Sequence, residues 1–358
     1  MSIALVLASS TGGIGTHVAS LAAGLTAGGV PVTVLGSAAT QDRFDFTGRG
    51  ADFVPVEVSA AGGVLALRKA LAAGQPDLVH AHGLRAGLAA GLARGRTPLV
   101  VTWHNGLLLG GFAGRVRQLM ERQVARTADV TLGASVELVG RARQVGGKDV
   151  RLGPVAAPEL PAPSRAPAAV RAELGLVEGQ PLVLSVGRLH PHKGYDVLVG
   201  AAARWHTRTP APLVAIAGTG PAHDRLTALI AATRAPVVLL GHRADVADLL
   251  AAADLAVVTS VLEARQLFAQ EALRAGVPLV ATAVGGLPEL VGDAAVLVPP
   301  RNVDAVDAAV TALLGDPARR AELARLGRAQ ATTWPTEAQV LDQVRALYAE
   351  LTGQPVGG

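Results

Sequence analysis

Short runs of consecutive apolar residues alternate along this chain with longer stretches in which apolar positions recur every three or four residues. Ile3 to Ala8 is such a run, closed by Ser9, Ser10, Thr11, Gly12 and Gly13, the pattern of a buried strand meeting a tight turn. Val18, Leu21, Ala22 and Leu25 then fall at helical spacing, and Val30 to Leu35 is the next strand. Further strands are predicted at Asp77 to Ala81, Leu99 to Trp103 and Val130 to Gly133, with helices near 64 to 73, 84 to 94 and 113 to 127. Such alternation builds a parallel sheet wound on both faces. Pro154, Pro158, Pro161, Pro163 and Pro167 then crowd Gly153 to Ala168, which reads as a linker free of helix and central strand. A second series follows at Leu182 to Val186, Leu213 to Ala217, Val237 to Leu240, Leu255 to Thr259, Leu279 to Ala281 and Ala295 to Val298. After about 336, Val340, Leu341, Val344 and Leu347 mark a final amphipathic helix.

The fold class is therefore α/β, with two Rossmann-like doubly wound domains at 1–155 and 169–335, a proline-rich linker at 156–168 and a terminal helix at 336–358. At 358 residues the chain suits two cores, and at 50% hydrophobic content it can fill both. Open sheets of this kind bind ligands at the carboxyl ends of their strands, which places a central cleft where the two sets of ends face one another. Cysteine is absent, so disulfides, thiolate metal sites and a cysteine nucleophile are excluded. The first 41 residues carry no Asp, Glu, Lys or Arg, yet the opening apolar run is only six residues long and lacks a basic start. It reads as neither signal peptide nor membrane span, and the protein as cytoplasmic. Residues 1–155 hold 15 Lys and Arg against 9 Asp and Glu, +6, whereas the remainder holds 17 against 19, −2. The basic half admits an anionic acceptor or peripheral contact with a membrane surface, beside the plainer reading of solvated arginines; nothing points to nucleic acid.

The strongest local signal is Val186-Gly187-Arg188-Leu189-His190-Pro191-His192-Lys193-Gly194-Tyr195-Asp196. An Arg and a Lys on the loop after a strand, with a helix start behind them, can hold two phosphates without a metal. Glu263 and Glu271, with seven residues between them and following another strand, add carboxylates that accept hydroxyl donors. The run Ala281-Thr282-Ala283-Val284-Gly285-Gly286-Leu287-Pro288-Glu289-Leu290-Val291 comes next. Together these stretches resemble glycosyltransferase family 4, whose members have the GT-B architecture, are retaining and need no metal or other cofactor.

The resemblance covers nearly the whole chain and implies transfer of a sugar from a nucleotide diphosphate sugar, UDP ahead of GDP, to a hydroxyl of a small or lipid-linked acceptor. It implies that Arg188 and Lys193 hold the donor diphosphate, that Glu263 lies against the donor sugar and leaving phosphate, and that Glu271 receives the ribose hydroxyls. It extends the donor contacts to Gly13, Gly15, Gly218 and Arg243. His104 is expected near the transferred sugar and, with Glu263, Arg188 and Lys193, in the catalytic set. His82, Asn105 and Arg117 are implied on the acceptor side, Arg117 for an anionic group. After Glu263 the family has a glycine, a bulky apolar residue and a further glycine or proline, whereas this chain has Ala264-Arg265-Gln266. The changed loop bears on donor identity, and Arg265 is placed to pair with Glu263.

Three other readings compete. Thr11 to Gly15 is superficially like a dinucleotide fingerprint, but Val18 stands where the third glycine belongs, and Tyr195 and Tyr348 lack a Lys four residues on. A catalytically inactive sugar-nucleotide binder or partner subunit draws support from the changed loop alone. A non-hydrolysing epimerase shares the architecture without motif support. His80 and His82 alternate on one strand and face the same way, but no third ligand for a metal is evident. No Asp-x-Asp occurs to bridge a diphosphate to a metal. Arg115, Arg117, Arg122 and Arg126 lie on one predicted helix with Glu121, as a solvated face or, for Arg117, an acceptor contact.

Overall fold

The structure is a computed structural model describing residues 1–10, 12–104, 111–157 and 159–356. The chain divides into two compact units, Met1–Pro158 with Pro335–Gly358, and Glu159–Trp334.

The first unit is a seven-stranded parallel sheet of β1 (Ile3–Leu7), β2 (Val32–Gly36), β3 (Asp52–Pro55), β4 (Leu78–His82), β5 (Leu99–Trp103), β6 (Val130–Gly133) and β7 (Val150–Leu152), in the order β3-β2-β1-β4-β5-β6-β7. All five residues of β1, β4 and β5 are buried, as expected of strands covered on both faces. The outermost strands, β3 and β7, are absent from the sequence prediction. Each is partly exposed and short, so neither carries a continuous apolar run.

The C-terminal helix Glu337–Thr352 belongs to this unit. Thr336 and Gln339 close a capping box at its start, and Val344, Leu347 and Tyr348 join the cluster formed by Ile3, Leu5, Val18 and Leu21. It lies against the first helix, Gly13–Ala27, where side chains at Gly24 and Gly28 would collide with Leu341 and Arg345. Arg345 donates to the Gly24 carbonyl at 2.9 Å, Ser20 bonds Glu337, and Arg151 of β7 pairs with Glu350 at 2.6 Å.

The second unit has six parallel strands, β8 (Leu182–Val186), β9 (Leu213–Ala217), β10 (Val237–Gly241), β11 (Leu255–Val258), β12 (Leu279–Thr282) and β13 (Ala295–Val298), ordered β10-β9-β8-β11-β12-β13. Alternate residues feed two cores: Leu182, Leu184, Ala256 and Val258 face one side, Val183, Leu255 and Val257 the other. The proline-rich stretch ends sooner than its composition suggests. Pro167 opens a helix, Pro167–Glu173, at the first helical position, where a missing N–H costs nothing.

Candidate functional site

The order of the second sheet reverses beside β8, which has β9 on one side and β11 on the other, so the loops leaving β8 and β11 meet. Val261 N–H donates to the His192 carbonyl at 2.8 Å and Thr259 Oγ1 to that of Lys193 at 3.1 Å. Gly194, with φ 63°, makes this join possible, because a Cβ there would strike the Thr259 carbonyl. Gly218 at the end of β9 is needed likewise: its φ is 149°, and a Cβ would overlap the Gly187 carbonyl. The result presents Arg188, exposed, and Lys193, 16% exposed at the side chain, on one loop.

Lys193 Nζ lies 2.5 Å from Glu263 Oε1, and Ser260 Oγ donates to the same oxygen at 2.7 Å. The expected Arg265–Glu263 pair is therefore corrected. Arg265 turns to another charge, Glu289, while burial lowers its pKa; its Nε and Nη2 are buried without a hydrogen-bond partner among the described residues. Gln266 caps helix Leu267–Ala275 by accepting from Ala269 N–H at 2.8 Å, a use for one residue of the changed loop. Glu271 sits within that helix, where burial pushes its carboxyl up to about 7 against the opposing pull of Arg274. Arg243 is already engaged: Nε and Nη2 bond Asp245 at 2.7 and 2.5 Å, and Nη1 bonds Glu173 at 2.7 Å.

In the first unit the sequence-predicted histidines converge. Parallel register sets Leu5 beside His80 and Leu7 beside His82 on β4, and His82 beside Thr102 on β5, which His104 follows. His82 Nδ1 is 3.1 Å from His104 Nε2, and His80 is held by Tyr348 Oη at 2.6 Å and Thr102 Oγ1 at 2.7 Å. His17, which the sequence did not single out, stands edge-on to His82 and His104, with ring centroids 5.7 and 5.4 Å away. Its only signal is its place in the first turns of the helix behind the glycine loop. Burial lowers all four pKa values, that of His17 to about 4 and that of His80 to about 3. Both ring nitrogens of His80 are thus engaged within this unit, and His82, 2% exposed, lies against His104 with ring centroids 5.4 Å apart.

At the glycine loop, Gly15 N–H donates to Ser10 Oγ at 3.0 Å and a Cβ on Gly15 would enter the Phe44 ring, while Gly13 is exposed. Asn105 lies outside the described residues. Arg117 is not a solvated cation: its Nε bonds buried Glu121 at 2.6 Å, and Arg141 takes the second carboxylate oxygen at 2.7 Å. Arg115, Arg122 and Arg126 are exposed. Among the described residues no three acidic, histidine or cysteine side chains are grouped to hold a metal, and no helix is long and apolar enough to cross a membrane.

Residues 12–158 match the glycosyl transferase 4-like domain, and residues 168–330 match glycosyl transferases group 1. The D-inositol 3-phosphate glycosyltransferase of Nocardia farcinica is 34% identical over 315 residues, 79% of this chain and 69% of that one. This chain is a family 4-type glycosyltransferase. The glycogen synthase of Mycobacterium tuberculosis is 33% identical to this glycosyltransferase over 298 residues, 75% of this chain and 68% of its own. Among solved structures, the sucrose-phosphate synthase of Thermosynechococcus elongatus superposes with a TM-score of 0.83 at 23% identity, covering 98% of this chain and 99% of that one. Anabaena HepE in complex with UDP superposes with 0.81 at 21%, covering 98% and 100%. The two doubly wound units agree with the expected fold class.

Proposed function

We propose that this glycosyltransferase moves a hexosyl group, with retention, from a UDP-sugar to a hydroxyl of a small or lipid-linked acceptor bearing an anionic group. The observation that carries the reading is the contact of Lys193 with Glu263 at the point where strand order reverses, with Arg188 on the same loop. A cation beside a carboxylate at that place suits a diphosphate joined to a sugar. Arg188 and Lys193 neutralise the leaving group, Glu263 faces the sugar, and Glu271 takes the ribose hydroxyls. His104 lies against the transferred sugar. The acceptor oxygen bonds the anomeric carbon as that carbon's bond to the β-phosphate oxygen breaks; the electron pair stays on the phosphate, which accepts the acceptor's proton. Support for the donor comes from HepE, solved with UDP-glucose, and support for a phosphorylated acceptor from the inositol phosphate enzyme and from Arg117, whose Nη1 is buried without a hydrogen-bond partner among the described residues. A transfer assay across UDP-, GDP-, ADP- and TDP-sugars, with inositol phosphate and neutral inositol as acceptors, tests it. Turnover confined to a UDP-sugar and the phosphorylated acceptor is expected; turnover with GDP-sugars alone, or equal use of both acceptors, overturns it.

A further inference from the structure

We propose that His82 is a positioning residue that fixes the tautomer of His104, holding its proton on Nδ1 so that this ring offers a hydrogen-bond donor there. The argument starts from the 3.1 Å contact between His82 Nδ1 and His104 Nε2. Burial and the neighbouring histidines keep both rings neutral, so each carries one ring proton. Only two arrangements then satisfy the contact. If His104 Nε2 donates, the proton of His82 must sit on its Nε2, which is buried and has no hydrogen-bond partner among the described residues. That is an orphaned N–H, the rarer and costlier defect in protein interiors. If His82 Nδ1 donates instead, the buried Nε2 is only a bare lone pair, and His104, accepting at Nε2, keeps its proton on Nδ1.

Among the described residues no neighbour offers another way out. His80 stacks against His82 with ring centroids 4.1 Å apart, but both of its nitrogens are taken, by Tyr348 and Thr102. His17 meets His82 and His104 edge-on, without a hydrogen bond between the rings. Among the described residues His104 Nδ1 has no hydrogen-bond partner, so it is the atom left for a ligand. A protonated Nδ1 donates to a sugar oxygen and has no lone pair with which to take a proton. His104 is thereby a binding donor and not a general base, in keeping with transfer of the acceptor proton to the leaving phosphate. The identity of that oxygen rests on the proposed function; the tautomer does not.

The test is long-range ¹H–¹⁵N correlation of the histidine-labelled full chain near neutral pH, with His104 assigned by the signal lost in His104→Gln. The wild-type spectrum should show His104 with a protonated Nδ1 and a bare Nε2; a proton on Nε2 overturns the proposal whatever the enzyme's substrates. His82→Leu should release the Nε2–H form and lower kcat roughly tenfold, the scale of one lost hydrogen bond. His82→Asn, whose amide N–H can replace Nδ1–H, should restore the Nδ1–H form and part of the rate. An unaltered His104 spectrum in His82→Leu also overturns it. Absence of sugar transfer in every variant, with the expected spectra, would instead refute the reading of the substrate alone.

Discussion

Lys193 already holds a carboxylate before any phosphate arrives, and this sets how its loss is felt. If Arg188 and Lys193 hold the donor diphosphate as proposed, Arg188→Ala removes one charge-assisted contact, about 1.5–3 kcal/mol, or roughly 10- to 150-fold in affinity. Lys193→Ala removes a similar contact and also leaves Glu263, 10% exposed, uncompensated beside two phosphates. UDP binding measured by calorimetry should therefore weaken more in Lys193→Ala than in Arg188→Ala. Adding Glu263→Gln to Lys193→Ala should recover binding without recovering turnover; wild-type affinity in both single variants would remove the clamp. Glu271 adds a pH dependence. Burial pushes its carboxyl up to about 7, and on the proposed donor assignment ribose hydroxyls would bond its ionised form. The kcat/KM for the donor should rise with pH through about 7 and lose that step in Glu271→Gln. The loops bearing Arg188, Lys193 and Glu263, and the helix bearing Glu271, were legible because residue type and spacing are local. The partners of Arg243 and Glu121 were not: Glu173 reaches Arg243 across 70 positions, and Arg141 reaches Glu121 across 20.

At the scale of elements, the terminal helix shows why amphipathic patterning gives a helix its apolar face but not its polar anchor. Val340, Val344 and Leu347 announce burial, whereas the bond from Tyr348 to His80 spans 268 positions and joins two side chains whose types name no partner. Tyr348→Phe keeps the packing and deletes the hydroxyl, leaving His80 Nδ1 buried and unpaired. Stability should fall by about 1–3 kcal/mol in urea unfolding monitored by circular dichroism. A change within error would mean that His80 finds another partner. The same distinction explains the strands. β1, β4 and β5 were legible from continuous burial, while β3 and β7, at the two edges, lack the apolar run on which prediction depends. Pro167 misled in the opposite sense, since composition cannot tell a proline that ends a linker from one that starts a helix.

At the scale of the molecule, the titratable groups with strongly shifted values divide unevenly between the two units. His17, His80, His82 and His104 are all buried and neutral in the first. Each has a folded pKa below the unfolded value of about 6.5, so the unfolded chain takes up protons first as pH falls. The stability that accompanies neutrality is complete above about 6.5 and is lost as pH falls toward 4 and 3, the values for His17 and His80. Each histidine contributes up to about 1.4 kcal/mol per pH unit within that window. In the second unit His192, lowered to about 4, acts in the same sense, but Glu271 opposes it. Its raised carboxyl pKa makes the folded state the better proton binder between about 4.5 and 7, so acid favours that unit through this group. Acidification to about pH 5 should therefore loosen the first unit before the second. Limited digestion with an acid-active protease, its cuts mapped by mass spectrometry, should show early cleavage within 1–158 and 335–358 while 159–334 persists. Cleavage spread evenly over both units, or no gain over neutral pH, would show that the four histidines do not govern acid stability. His80→Asn, whose amide can keep the bond to Tyr348 but not that to Thr102, should make the loss of stability with falling pH less steep, because one proton-accepting site has left the unfolded chain.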